Sequence, residues 1–143
     1  MSEPESELLA GFRTGYEATH EAFNRHDMDE AFGALPEDIE WRTIQAIPGA
    51  PEVCRGRDEV IAFFRDILNE WPDWHTELLS FGEPQPGLVV VEFRAHGTGR
   101  TSGIPLSGEF AQVWDLRDRP VRVTEFANRE AAREHIGCTS AGA

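Results

Sequence analysis

The stretch LVVVEFRAHGTGRTSGIPLSGEFAQVWDLRDRPVRVTEF, residues 88–126, decides the fold. Successive side chains of a strand point to opposite faces. Read with period two, one face collects Glu92, Arg94, His96, Glu109, Asp115 and Glu125. The other collects Val89, Val91, Phe93, Phe110, Trp114 and Phe126. The pattern predicts strands at about 88–100, 105–117 and 121–127, joined as a meander. Periodicity says which side chains share a face but not which face is enclosed. The polar face therefore either meets solvent or lines a cavity.

Upstream of this stretch the period changes. Leu9, Phe12, Tyr16, Thr19 and Phe23 recur at three-and-four spacing, which predicts an amphipathic helix from about Glu5 to Arg25. Asp27 is placed to cap a short second helix carrying Met28, Ala31, Phe32 and Leu35, which ends before Pro36. The two should form a hairpin. Ile39 to Ile44 reads as a strand and Gln45 to Arg55 as an irregular loop. Gly56-Arg57-Asp58 opens a third helix with Ile61, Phe64, Leu68 and Trp71 on its buried stripe, and its first-turn acids suit the helix dipole. Pro72 ends it. A further strand is expected at about 74–81, a proline-rich loop from Gly82 to Gly87, and a short terminal helix capped by Asn128 and closed by Gly137.

The chain has 143 residues, enough for one domain with its own core, and the ordered part is expected at roughly 5–137. Thirteen basic residues against 26 acidic give a net charge of -13. Nucleic-acid phosphate and anionic membrane surfaces would repel such a chain, so neither is an expected partner. All the basic residues are arginine, which excludes a Schiff-base lysine. Cys54 and Cys138 lie too far apart in sequence for a paired metal or redox motif and read as free thiols. The acidic start and the lack of a long apolar run lead to the expectation of a cytoplasmic protein. No metal and no cofactor is expected.

Helices gathered first and a strand meander afterwards indicate an α+β fold with a curved antiparallel sheet. That order, with Gly56-Arg57-Asp58-Glu59-Val60-Ile61 at the third helix and Val113-Trp114-Asp115-Leu116-Arg117-Asp118 before the last strand, resembles the nuclear transport factor 2-like superfamily, in particular its SnoaL-like branch. The resemblance covers nearly the whole chain. It implies a cone-shaped sheet wrapped around helices and enclosing a pocket. Members of the superfamily include ketosteroid isomerase, polyketide cyclases, limonene epoxide hydrolase and many non-catalytic proteins.

Register decides which residues meet. A two-residue turn at Ser102-Gly103 would set Arg94 opposite Ala111 and His96 opposite Glu109. For the last hairpin, a two-residue turn at Asp118-Arg119 sets Glu125 opposite Gln112, and a three-residue loop at Arg117 to Arg119 sets it opposite Ala111. The residues alone leave both open. In the polyketide cyclases and limonene epoxide hydrolase a last-strand carboxylate faces the cavity, and the place of Glu125 resembles it, which favours the three-residue loop. Arg94, Ala111 and Glu125 would then form one row across three strands.

On this reading Glu125 is the general base, Arg94 orients it or stabilises an oxyanion, and His96 relays the proton. Trp41, Thr43, Glu109, Tyr16, Phe64 and Trp74 would contact a small-molecule ligand. The expected function is cofactor-free acid/base chemistry on an apolar oxygenated substrate, of hydrolase, isomerase or cyclase type. The alternative is a non-catalytic ligand-binding or dimerisation module in which Arg94 and Glu125 are scaffolding. The apolar face, with Phe93, Phe110, Trp114 and Phe126, is too hydrophobic for water, so a homodimer is expected to cover it, with Arg122 stacked on Trp114.

Overall fold

The computed structural model describes residues 5–44, 50–98 and 105–141. Helices α1 (Glu7–Asn24) and α2 (Met28–Phe32) come first, followed by strands β1 (Glu40–Arg42) and β2 (Val53–Arg55) and helix α3 (Arg57–Glu70). Strands β3 (His75–Gln85), β4 (Leu88–Thr98), β5 (Pro105–Asp115) and β6 (Arg122–Phe126) follow, and α4 (Arg129–Ala141) ends the series. The strands make one curved, open sheet in the order β2-β1-β6-β5-β4-β3. All neighbours are antiparallel except β1 and β6, which run parallel with Trp41 beside Val123.

Local chemistry sets the element ends. Ser6 accepts from the Leu9 amide at 3.0 Å and Asp27 from the Glu30 amide at 3.1 Å, each supplying an acceptor to a helix start that has no backbone partner. Asn128 does the same for α4, accepting from Ala131 at 2.7 Å. That helix runs past Gly137 to Ala141 instead of closing there, the glycine weakening it by only about 0.5–1 kcal/mol. Strand β3 likewise continues beyond the expected stop, through Gln85. It lies at the sheet edge, where Pro84 need not donate to a second neighbour, and register shifts between Leu78 and Ser80 and between Gly82 and Gln85 absorb the irregularity. Gly87, at φ 81°, makes the turn to β4. Residues 53–55, expected in a loop, form β2 against β1.

The inner face of the sheet carries Trp41, Val89, Val91, Phe93, Ala95, Phe110, Trp114 and Val123, all buried in one core with residues of α1, α2 and α3. Phe12 and Tyr16 of α1 meet Trp114 edge-on at centroid distances of 5.2 and 6.0 Å, and Phe32 of α2 stacks on Phe64 of α3 at 4.9 Å. The outer face is covered in part by α4, whose Ala132 and Ile136 pack with Leu88, Val90, Ala111, Val113 and Phe126. The chain's own helices thus cover the apolar face assigned to a dimer. Phe93, Phe110 and Trp114 are inside the molecule, Phe126 packs under α4 beside His135, and Arg122 points outward to Glu40 instead of stacking on Trp114. No helix among the described residues is long and apolar enough to cross a membrane.

Candidate functional site

Strand β6 enters the sheet with Glu125 directly opposite Gln112 and Phe126 opposite Ala111. Glu125 therefore shares the inner face with Val121, Val123, Gln112 and Trp114, and the row expected with Ala111 and Arg94 does not form. The reason is burial. Val121 and Val123 alternate in step with Glu125, and this register puts both in the core, Val123 with no exposure at all, while Arg122 goes to the outside. The other register would bury Arg122 and strip both valines.

Gln112 is the polar exception on an apolar face, and it organises its surroundings. Its carbonyl Oε1 accepts from Trp114 Nε1 at 3.0 Å and from Tyr16 Oη at 2.8 Å. Its amide nitrogen donates to Glu125 Oε2 at 3.0 Å. An indole nitrogen can only donate, so Trp114 fixes which end of the Gln112 amide is oxygen, and the NH2 group must then face the carboxyl. Tyr16 spends its proton on Gln112, which leaves its oxygen as an acceptor only. Burial pushes the Glu125 carboxyl above the usual carboxylate range, offset in part by Trp41 and Gln112, which favour its charged form. Tyr16 is pushed well above an ordinary phenol by burial and by the nearby carboxyl. The Trp41 indole N–H acts on Glu125 but is buried without closing a hydrogen bond of ordinary geometry.

These groups border a cavity of about 370 Å³ between the inner sheet face and the helices. Helix α1 supplies Gly11, Phe12, Gly15, Tyr16, Thr19, His20 and Phe23 to its wall; the sheet supplies Trp41, Thr76, Phe93, Phe110, Gln112, Trp114 and Glu125; Phe32 and Phe64 close it from α2 and α3. On the β3 side, His20 Nε2 lies 2.7 Å from Thr76 Oγ1, and Asn24 locks Thr76 by exchanging hydrogen bonds with its backbone at 2.9 and 3.1 Å. Burial lowers the His20 pKa, which favours the neutral ring. The arrangement is a largely apolar chamber with the Glu125 carboxyl and the Trp41 indole together on its wall.

The model of the SnoaL-like domain matches residues 16–126. The chain belongs to the SnoaL-like family. Its fold is the nuclear transport factor 2-like one: it superposes with a TM-score of 0.67 on a protein of that fold and of unknown function from Burkholderia pseudomallei, at 23% identity, covering 81% of this chain and 89% of that one. TerC, crystallised with polyporic acid, is similar at TM-score 0.66 and 19% identity over 85% of this chain and 95% of that one. A protein described as a polyketide cyclase from Xanthomonas campestris pv. campestris is similar at TM-score 0.61 and 23% identity over 83% and 91%. Other similar structures carry the names hydroxylase and isomerase. No curated protein matches the chain in sequence.

Within this SnoaL-like domain the expected site residues part company. Glu125, Tyr16, Trp41, Phe64 and Trp74 all border the cavity. Arg94, His96 and Glu109 do not: they lie on the outer face, on the other side of the sheet from Glu125. Arg94 is paired there with Glu77 at 3.5 Å and Glu109 at 3.8 Å, half exposed, and His96 faces His75 at a centroid distance of 5.4 Å. Strands β4 and β5 pair Arg94 with Glu109 and His96 with Ser107, two residues away from the expected register; the proposed turn at Ser102-Gly103 lies outside the described residues. A two-residue shift keeps every side chain on its face, so these residues remained together while the cavity belonged to the opposite face. Thr43 is buried, but its hydroxyl donates to the Pro51 carbonyl and does not border the cavity. Gln112, Trp114 and His20 were missed. The signal for Gln112 was present: a lone amide amid Phe110, Trp114 and Val123 must find buried partners.

Proposed function

We propose that this protein is a small-molecule enzyme in which Glu125 exchanges a proton with an apolar, oxygenated ligand held in the cavity, without a cofactor. The observation that carries the reading is a buried carboxyl of raised pKa beside the Trp41 indole, in a chamber lined mostly by aromatic and aliphatic groups. A carboxyl whose pKa burial raises is a candidate acid or base. Gln112 donates to Oε2, which favours the proton of the neutral form on Oε1. An ionised Glu125 would take a proton from a carbon next to a ligand carbonyl whose oxygen accepts from Trp41, and the neutral carboxyl so formed would return that proton to the ligand. Tyr16, an acceptor only, favours a hydroxyl on the same ligand. The volume falls in the range of about 300–1,000 Å³ common for small-molecule pockets. Names such as polyketide cyclase, hydroxylase and isomerase among the similar structures agree with chemistry of this type.

One observation favours a second reading. The Tyr16–Gln112–Glu125 chain is largely satisfied within the protein, as a scaffold holding the sheet to α1 would be, so the domain would bind a ligand without transforming it. The test is a screen of neutral cyclic ketones and lactones for displacement of N-phenyl-1-naphthylamine, followed by turnover assays on each binder. The enzyme reading expects turnover that falls at least about a hundredfold in Glu125→Gln. Binding with no turnover, or turnover untouched by Glu125→Gln, supports the second reading and rejects the first.

A further inference from the structure

Helix α1 carries two glycines, Gly11 and Gly15, one turn apart and well inside the helix. Glycine is the poorest helix former after proline, so neither is there for the helix. Both border the cavity and both are exposed, which places them where the chamber meets solvent. A Cβ added at either position would touch nothing within 4 Å, so close packing does not demand glycine. What the missing side chains leave is an open notch in the chamber wall next to Phe12 and Tyr16. A second observation concerns the chamber behind the notch: the Trp41 indole, 2% exposed and lining the same cavity, carries an N–H that closes no hydrogen bond of ordinary geometry within the protein.

From these we infer that the Gly11–Gly15 notch is the doorway and length filter of the cavity. It admits an elongated apolar ligand whose oxygen lies at Trp41 and Glu125 and whose far end rests on the bare backbone of α1. The inference builds on the proposed ligand site and adds that residues 11 and 15 decide how long a ligand can be. A short ligand would sit wholly inside the chamber, and one longer than the chamber would extend through the notch.

The experiment compares N-phenyl-1-naphthylamine, a long neutral probe, with phenol, a short one, on wild-type protein, Gly15→Ala and Gly15→Leu, following probe emission and tryptophan quenching. Melting curves of all three proteins accompany the titrations. Since there is space for a side chain, both variants should melt at or above the wild-type temperature, with Gly15→Ala raised. The expected result is a loss of about tenfold or more in affinity for the long probe in Gly15→Leu, with a much smaller change for phenol and an intermediate effect in Gly15→Ala. Wild-type affinity for the long probe in a stable Gly15→Leu overturns the doorway while leaving the ligand site in place. Equal losses for both probes would also overturn it, because length would not be what residue 15 controls. If neither probe binds the wild-type protein, the ligand site itself falls, and the doorway with it.

Discussion

Gln112 and Glu125 face each other across β5 and β6, and the Gln112 amide donates to the Glu125 carboxyl at 3.0 Å while its carbonyl takes protons from Trp114 and Tyr16. One amide thus joins a helix, two strands and the buried carboxyl. Gln112→Leu would strand the Trp114 N–H and the Tyr16 hydroxyl in an apolar interior. Each buried polar group left without a partner costs about 1–3 kcal/mol, so the variant should lose at least about 2 kcal/mol in urea unfolding. A loss below about 0.5 kcal/mol would mean that water replaces the amide at little cost.

Glu125 also links stability to pH. Its carboxyl is raised in the folded protein by burial, so the folded state holds the proton more tightly than the unfolded chain. The stabilisation from this group is fully present below the unfolded glutamate pKa of about 4.3 and is lost as pH rises through the folded value. Glu125→Gln removes that loss. The melting temperature of Glu125→Gln relative to wild type should therefore climb as pH increases, and a difference that is flat or falls with pH would contradict the assigned environment.

Arg94 and His96, on the outer face, should be dispensable to the cavity. Arg94 makes half-exposed ion pairs with Glu77 and Glu109, of the kind worth roughly 0–1 kcal/mol. Arg94→Ala and His96→Ala are expected to leave probe binding unchanged and to shift stability by less than about 1 kcal/mol, as checked by fluorescence titration and urea melts.

The register of β6 has its own test. Val123, fully buried, should cost about 2 kcal/mol when cut to alanine, and Arg122, which pairs with Glu40 at the surface, less than about 1 kcal/mol. The opposite order of losses would restore the register that turns Glu125 outward.

Much of the fold is written in the periodicities. The helical spacing of Leu9, Phe12, Tyr16 and Phe23 gives α1, the alternation over residues 88–126 gives the long strands, and Asp27 and Asn128 announce helix starts by their ability to cap. The pairing of β1 with β6, and of β1 with β2, is less legible, because strands of three residues carry too few alternations to reveal a face. The site was half legible. Glu125, Tyr16 and Trp41, all expected at a ligand, do border the cavity, but their common face is not legible from the aim of one carboxylate. The valines at 121 and 123 held the better argument: two β-branched apolar residues alternating with an arginine settle the face of a strand more firmly than one acid does.

The proposed chemistry requires a Glu125 carboxyl that borders the cavity with a raised pKa and meets a bound ligand. A carbon-detected NMR titration of glutamate side-chain carboxyls, with Glu125→Gln to assign the resonance, measures this directly. Glu125 is expected to titrate above the ordinary glutamate value of about 4.3, and its resonance to move when a neutral cyclic ketone such as 1-tetralone is added. A Glu125 that titrates at or below that value and ignores the ketone would contradict it.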